Sequence, residues 1–181
     1  MSSFVVYPNQ EQPKATSQSR AVWDYKVQFF TSRGYAVLQV NHRGSTGYGR
    51  DYMNMLRGNW GVCDVEDSVS GAKYLADNKK VDAKRLAIMG GSAGGYTVLQ
   101  TMATVPTAFT AGISMYGIAD QFALVQATHK FEAKYNDSLL GPLPEAAELY
   151  KERSPLTHAK NIKKPLAVFQ GSVDQRFLQI H

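Results

Sequence analysis

Residues 88–97 read IMGGSAGGYT, and no other stretch of the chain narrows the fold as far. A short apolar run, RLAIMG at residues 85–90, ends on glycines and offers one serine. It then continues through two more glycines into a segment patterned for a helix to about Ala103. Gly90-Gly91-Ser92-Ala93-Gly94 fits G-x-S-x-G, the turn that lifts a serine hydroxyl clear of a sheet between a strand and a helix. The chemistry accounts for the composition. The serine must adopt a strained backbone conformation, and its neighbours must be small because strand and helix almost touch there. The amide of Ala93, at the helix start, then faces the position where an oxyanion would form. Two other readings compete. One is a glycine-rich turn with an incidental serine. The other is a phosphate-binding turn, against which neither G-x-x-x-x-G-K-[ST] nor G-x-G-x-x-G occurs.

The surrounding pattern predicts the class. FVVY (residues 4–7) reads as a short strand and the polar residues 9–20 as a loop. Residues 21–33 carry helical spacing at Val22, Tyr25, Phe29 and Phe30, with Gly34 as the stop. YAVLQV (35–40) reads as a buried strand, and the loop NHRGSTGYGRDY follows. Residues 64–77 form an amphipathic helix with acids in its first turn, where they suit the macrodipole. AGISMYG (111–117) and PLAVFQG (165–171) read as two further strands. Between them, residues 118–164 are longer, polar and mixed, with a helix expected near 144–153. Apolar strands alternating with amphipathic helices imply an α/β fold: a mostly parallel sheet with helices on both faces. At 181 residues the chain has room for one domain.

A nucleophilic serine needs a base and an orienting acid, in the chain order serine, acid, histidine for this type of sheet. VFQGSVDQ puts Asp174 just past a buried strand, where the acid belongs; the competing reading is an ordinary turn aspartate. Histidine is harder to place. His129 and His158 precede Asp174 and read as surface or structural residues. His181 lacks the strand and helix that would return it to the serine, and His42 lies upstream in the glycine-rich loop. Arg43, Tyr48 and Arg50 sit in that same loop, where ligands bind in open α/β sheets, and serve equally well as packing or helper residues.

Bulk properties exclude several classes. The net charge of +5 is scattered, with NIKKP the nearest approach to a basic cluster, so no nucleic-acid partner is expected. A single cysteine, Cys63, rules out an internal disulfide framework and suits a reducing, cytoplasmic setting. No secretory leader and no membrane-spanning stretch is expected. His129 and Glu132 do not make H-E-x-x-H, so neither a metal nor a cofactor is expected.

Several separate motifs in order carry a specific likeness: NHRGSTGYGRDY, WGVCDVEDSVSGAKYLADNKKVDAKRLAIMGGSAGGYTVL, AGISMYGIAD, THKFEAKY and SPLTHAKNIKKPLAVFQGSVD. From about Tyr25 to Asp174 the chain resembles the catalytic domain of prolyl oligopeptidase-family serine peptidases, in particular the acylaminoacyl-peptidase and dipeptidyl-peptidase-like branch. The resemblance implies an α/β-hydrolase fold and acyl-enzyme hydrolysis of short peptides. Ser92 would be the nucleophile, Asp174 the triad acid and Ala93 one oxyanion amide.

Three departures shape the expectation. The family's histidine lies in a G-H-G-like loop several tens of residues beyond the acid, a loop not found in this sequence. Residues 10–13 read QEQP where relatives carry H-G-G-P, which puts the second oxyanion contribution in question. The β-propeller that usually precedes the domain is not expected among these residues. Residues 1–181 are therefore expected to be a single partial catalytic domain, truncated at its C-terminus and inactive or weak alone. If FVVY fails to fill the slot between YAVLQV and RLAIM, the sheet has a central gap, and PLAVFQ is expected at an open, apolar edge. An esterase of the same fold, or a non-catalytic remnant that binds a partner, are the alternatives.

Overall fold

A computed structural model of the chain describes residues 3–8, 23–127 and 135–172. Five parallel strands form one sheet: β1 (Ser3–Pro8), β2 (Tyr35–Val40), β3 (Leu86–Gly91), β4 (Ala111–Met115) and β5 (Leu166–Phe169). Their order is β2-β1-β3-β4-β5. β1 pairs with both neighbours, Phe4 opposite Ala36 on one side and Leu86 on the other. FVVY therefore occupies the central slot and the sheet is continuous. The chain winds outward from β1 to β2, then crosses back to β3 and continues in the opposite direction. That reversal opens a crevice at the carboxyl ends of β1 and β3.

Helices cover both faces, as the alternation of elements implies. α3 (Cys63–Asp77) and α4 (Ala93–Thr104) lie on one face. There Val6, Val40, Leu86 and Ile88 pack with Ala72, Val98, Met102 and Phe109 in the main core. α3 approaches β2 closely at Gly71, where a Cβ would come within 2.9 Å of Leu38. α1 (Tyr25–Thr31) covers part of the other face. Asp24 caps it by accepting from the amides of Lys26 and Val27, and Gly34, at φ 81°, follows its end. Phe30 packs edge-on against Tyr7 of β1 and Tyr35 of β2.

The mixed region resolves into more helix than its pattern suggests. α2 (Arg50–Asn54) interrupts the loop after β2. Downstream come α5 (Gln121–Ala127), α6 (Tyr135–Leu140), α7 (Ala147–Glu152) and a 3-10 helix over Pro155–Asn161. Trp60, Tyr96, Ile118, Leu139, Leu140 and Tyr150 form a second apolar cluster. Trp60 and Tyr96 join it to α4, their ring centroids 4.7 Å apart. Among the described residues β5 is the outer strand beyond β4, with Val168 and Phe169 58% and 61% exposed.

Val6 is fully buried at the centre of the sheet. Val6→Ala is expected to lower unfolding free energy by about 2 kcal/mol in urea titrations. Val168→Ala, at the exposed margin, is expected to change it by less than about 0.5 kcal/mol.

Candidate functional site

Ser92 stands where β3 ends and α4 begins, with φ 52° and ψ −122°. A non-glycine residue at positive φ is uncommon, and such a backbone costs of order 1–3 kcal/mol unless its surroundings impose it. The surroundings here are two contacts of backbone on backbone. A Cβ on Gly90 would lie 2.5 Å from the carbonyl carbon and oxygen of Gly94, so incoming strand and outgoing helix touch. A Cβ on Gly95 would lie 2.8 Å from Gly117 Cα and 2.9 Å from the Met115 carbonyl. The Ser92 amide donates to the Met115 carbonyl at 3.0 Å, and the Ser92 carbonyl accepts from Tyr96 N–H at 3.0 Å. Ser92 itself is partly exposed. Ala93 opens the helix, so its amide belongs to the first-turn donors that have no intrahelical acceptor. The turn thus joins a partly open hydroxyl to a helix N-terminus suited to a developing negative charge.

A buried carboxylate holds this helix from the side, a role the sequence reading did not give it. Asp64 looks like a first-turn acid of α3, but it is 1% exposed. Its Oδ1 accepts from Gly61 N–H at 2.7 Å, and its Oδ2 accepts from the Thr97 hydroxyl at 2.6 Å. Thr97 Oγ1 also lies 3.2 Å from the Ala93 carbonyl, a weaker alternative acceptor for its single proton. Asp64 therefore ties the loop before α3 to the first turn of α4. Tyr96 beside it is wholly buried and donates to the Arg153 carbonyl at 2.9 Å. Burial first, and the nearby Asp64 charge second, push its phenol well above the ordinary value. The sequence signal for Asp64 was an acid three residues after a glycine at a helix start, with no hint that Thr97 comes to meet it.

The loop after β2 leaves the sheet at the same end as Ser92, since all five strands run parallel. Arg43 is committed there to α3. Its amide donates to Asp67 at 2.6 Å, its Nε donates to Asp67 at 2.9 Å, and its Nη2 donates to Glu66 at 2.6 Å. The two carboxylates hold its guanidinium above the ordinary range. This is an anchoring role. Tyr48 accepts from the Asn41 side chain at 2.9 Å and its ring lies 5.1 Å from Tyr52, while Arg50 is exposed at the start of α2. His42 is buried with Nδ1 2.9 Å from the Arg43 carbonyl, and His158 Nε2 lies 3.1 Å from the Glu152 carbonyl. Ser92 and Ala93 are thus adjacent at the turn. Asp174, His129, His181 and the 10–13 segment lie outside the described residues. β5 delivers the chain to the same end of the sheet as Ser92, and residues 170–172 continue from there.

Among the described residues, no group of three or more His, Cys, Asp or Glu side chains is arranged to hold a metal. No helix among them is long and apolar enough to cross a membrane.

This sheet and its flanking helices are those of the α/β-hydrolase fold, as solved structures bear out. A Mycobacterium tuberculosis puromycin-hydrolyzing peptidase superposes with a TM-score of 0.90 at 42% identity, over 98% of this chain and 27% of that one. Pyrococcus horikoshii acylaminoacyl peptidase gives 0.82 at 29% identity, over 96% of this chain and 28% of the other. The model of the prolyl oligopeptidase family matches residues 21–179, and the chain belongs to that family of serine peptidases. Among curated relatives, dipeptidyl aminopeptidase BIII of Pseudoxanthomonas mexicana is 36% identical over 157 residues, covering 84% of this chain. The acylamino-acid-releasing enzyme of Sus scrofa is 33% identical over 154 residues, covering 79%. The chain spans 23% of the length of the first and 20% of the second.

Two substitutions test the architecture of the turn by urea unfolding. Gly90→Ala forces a Cβ onto Gly94 and is expected to cost about 3 kcal/mol. Asp64→Ala strands the Gly61 amide and Thr97 hydroxyl in the interior and is expected to cost about 3 kcal/mol as well.

Proposed function

We propose that Ser92 is the acylation nucleophile of a serine peptidase that acts on short peptides. The observation that carries this reading is the positive φ of Ser92 on the G-x-S-x-G turn between β3 and α4, in a chain of this family. Ser92 Oγ attacks the substrate carbonyl while an imidazole takes its proton. The Ala93 amide donates to the resulting oxyanion, and Asp174 orients the imidazole in the tautomer that accepts. Collapse breaks the C–N bond, the imidazolium gives its proton to the leaving amine, and water then hydrolyses the acyl ester. The relatives are named for releasing dipeptides and acylamino acids, and one solved structure for hydrolysing puromycin. These names favour small substrates cleaved near one end. A cytoplasmic site of action fits a chain whose one cysteine, Cys63, is free and buried.

None of the histidines among the 181 residues is assigned as the base, and residues 175–181 hold no G-H-G-like loop. The 181 residues alone are expected to turn over a dipeptide anilide negligibly.

The test is covalent labelling with a fluorophosphonate in the presence of added imidazole, followed by peptide mapping. The expected adduct sits on Ser92 and is lost in Ser92→Ala. Labelling spread over surface serines, or none at all, contradicts the nucleophile assignment. Ser92-dependent turnover of an anilide without added imidazole contradicts the need for an outside base. Ester turnover without anilide turnover favours an esterase.

A further inference from the structure

Three non-glycine residues among those described have positive φ: Lys79, Ser92 and Tyr116. Lys79 lies just beyond the end of α3, where its amide donates to the Ala76 carbonyl, an ordinary use of that conformation at a helix end. Tyr116, at φ 42°, has no such excuse. A bulky side chain in this region is a genuine outlier, and glycine would hold the same turn with less strain. Burial does not account for the tyrosine either, since it is 37% exposed.

Its position is informative. Met115, the residue before it, pairs with Gly91 of β3 on one side and with Phe169 of β5 on the other. The Ser92 amide donates to the Met115 carbonyl, and the Tyr116 amide donates to the Phe169 carbonyl at 2.6 Å. Tyr116 is therefore bracketed by the serine turn and the end of β5, at the carboxyl edge of the sheet beside Ser92. Two strained residues side by side across one strand pair, one of them an exposed aromatic, fit a site better than a packing role.

We propose that Tyr116 is a specificity-determining residue of the Ser92 site. Its ring forms a wall against which an aromatic side chain beside the reacting carbonyl packs. The proposal rests on the Ser92 reading, and the binding experiment below is independent of acylation.

Dissociation constants are measured by calorimetry for two p-nitroanilides, Ala-Phe and Ala-Gly, in the Ser92→Ala background, with and without Tyr116→Gly or Tyr116→Phe. Tyr116→Gly is expected to weaken the Ala-Phe compound about tenfold and to leave the Ala-Gly compound within about twofold. Tyr116→Phe is expected to bind both as the parent does. The thermal midpoint of Tyr116→Gly is expected to hold or rise, because strain is relieved. Equal weakening of both compounds, or no change in either, overturns the proposal. Fluorophosphonate labelling of the parent separates the two readings. If Ser92 fails to label, the nucleophile assignment falls, while the Ala-Phe against Ala-Gly difference still decides Tyr116.

Discussion

The contact between Gly90 and Gly94 is the constraint on which the rest depends. With these two backbones touching, the chain has only the intervening residues in which to turn from strand to helix. Ser92 absorbs that turn at φ 52°, and a side chain on Gly90 would force strand and helix apart. The strain at Ser92 is therefore a consequence of packing. The fold has to supply enough cohesion around the turn to maintain it.

That cohesion comes from three directions. From β4, Gly117 lies against Gly95, and the buried Ser114 hydroxyl donates to the Gly95 carbonyl at 3.1 Å. From α3, Asp64 accepts from Thr97 while also fixing the Gly61 turn. From the second apolar cluster, Trp60 packs on Tyr96, whose phenol reaches Arg153. The first turn of α4 is thus pinned by sheet, helix and helical insertion together. A rigid helix start is what allows the Ala93 amide to act as a fixed donor, since a donor that must reorganise during the reaction contributes less.

Legibility in the sequence followed how local each feature was. β2, β3, β4, β5, α3 and α4 were readable because apolar runs or stripes end at glycines or polar clusters. AGISMYG suggests a strand as far as Gly117, but β4 ends at Met115. Tyr116 turns out of it with a positive φ that no residue type announces. The short helices α5 and α6 were blurred because segments of six or seven residues have too little periodicity to declare themselves, their stability being tertiary, whereas α7 falls inside the helix expected near 144–153. Ser92 and Ala93 were legible as a motif, since the glycines record the strand–helix contact directly. Asp64 was visible only as a helix-start acid, because its partners Gly61 and Thr97 meet it through the fold. The place of β1 was open in the sequence, its four apolar residues being compatible with an edge or a centre, and only its pairing with both β2 and β3 decides it.

The measurement that tests the central claim most directly is a crystal structure of the chain carrying a phosphonyl group on Ser92. The account predicts Ser92 in the left-handed region, with a phosphonyl oxygen at hydrogen-bonding distance from the Ala93 amide. A Ser92 backbone relaxed to negative φ, or a phosphonyl oxygen directed away from the start of α4, would contradict it.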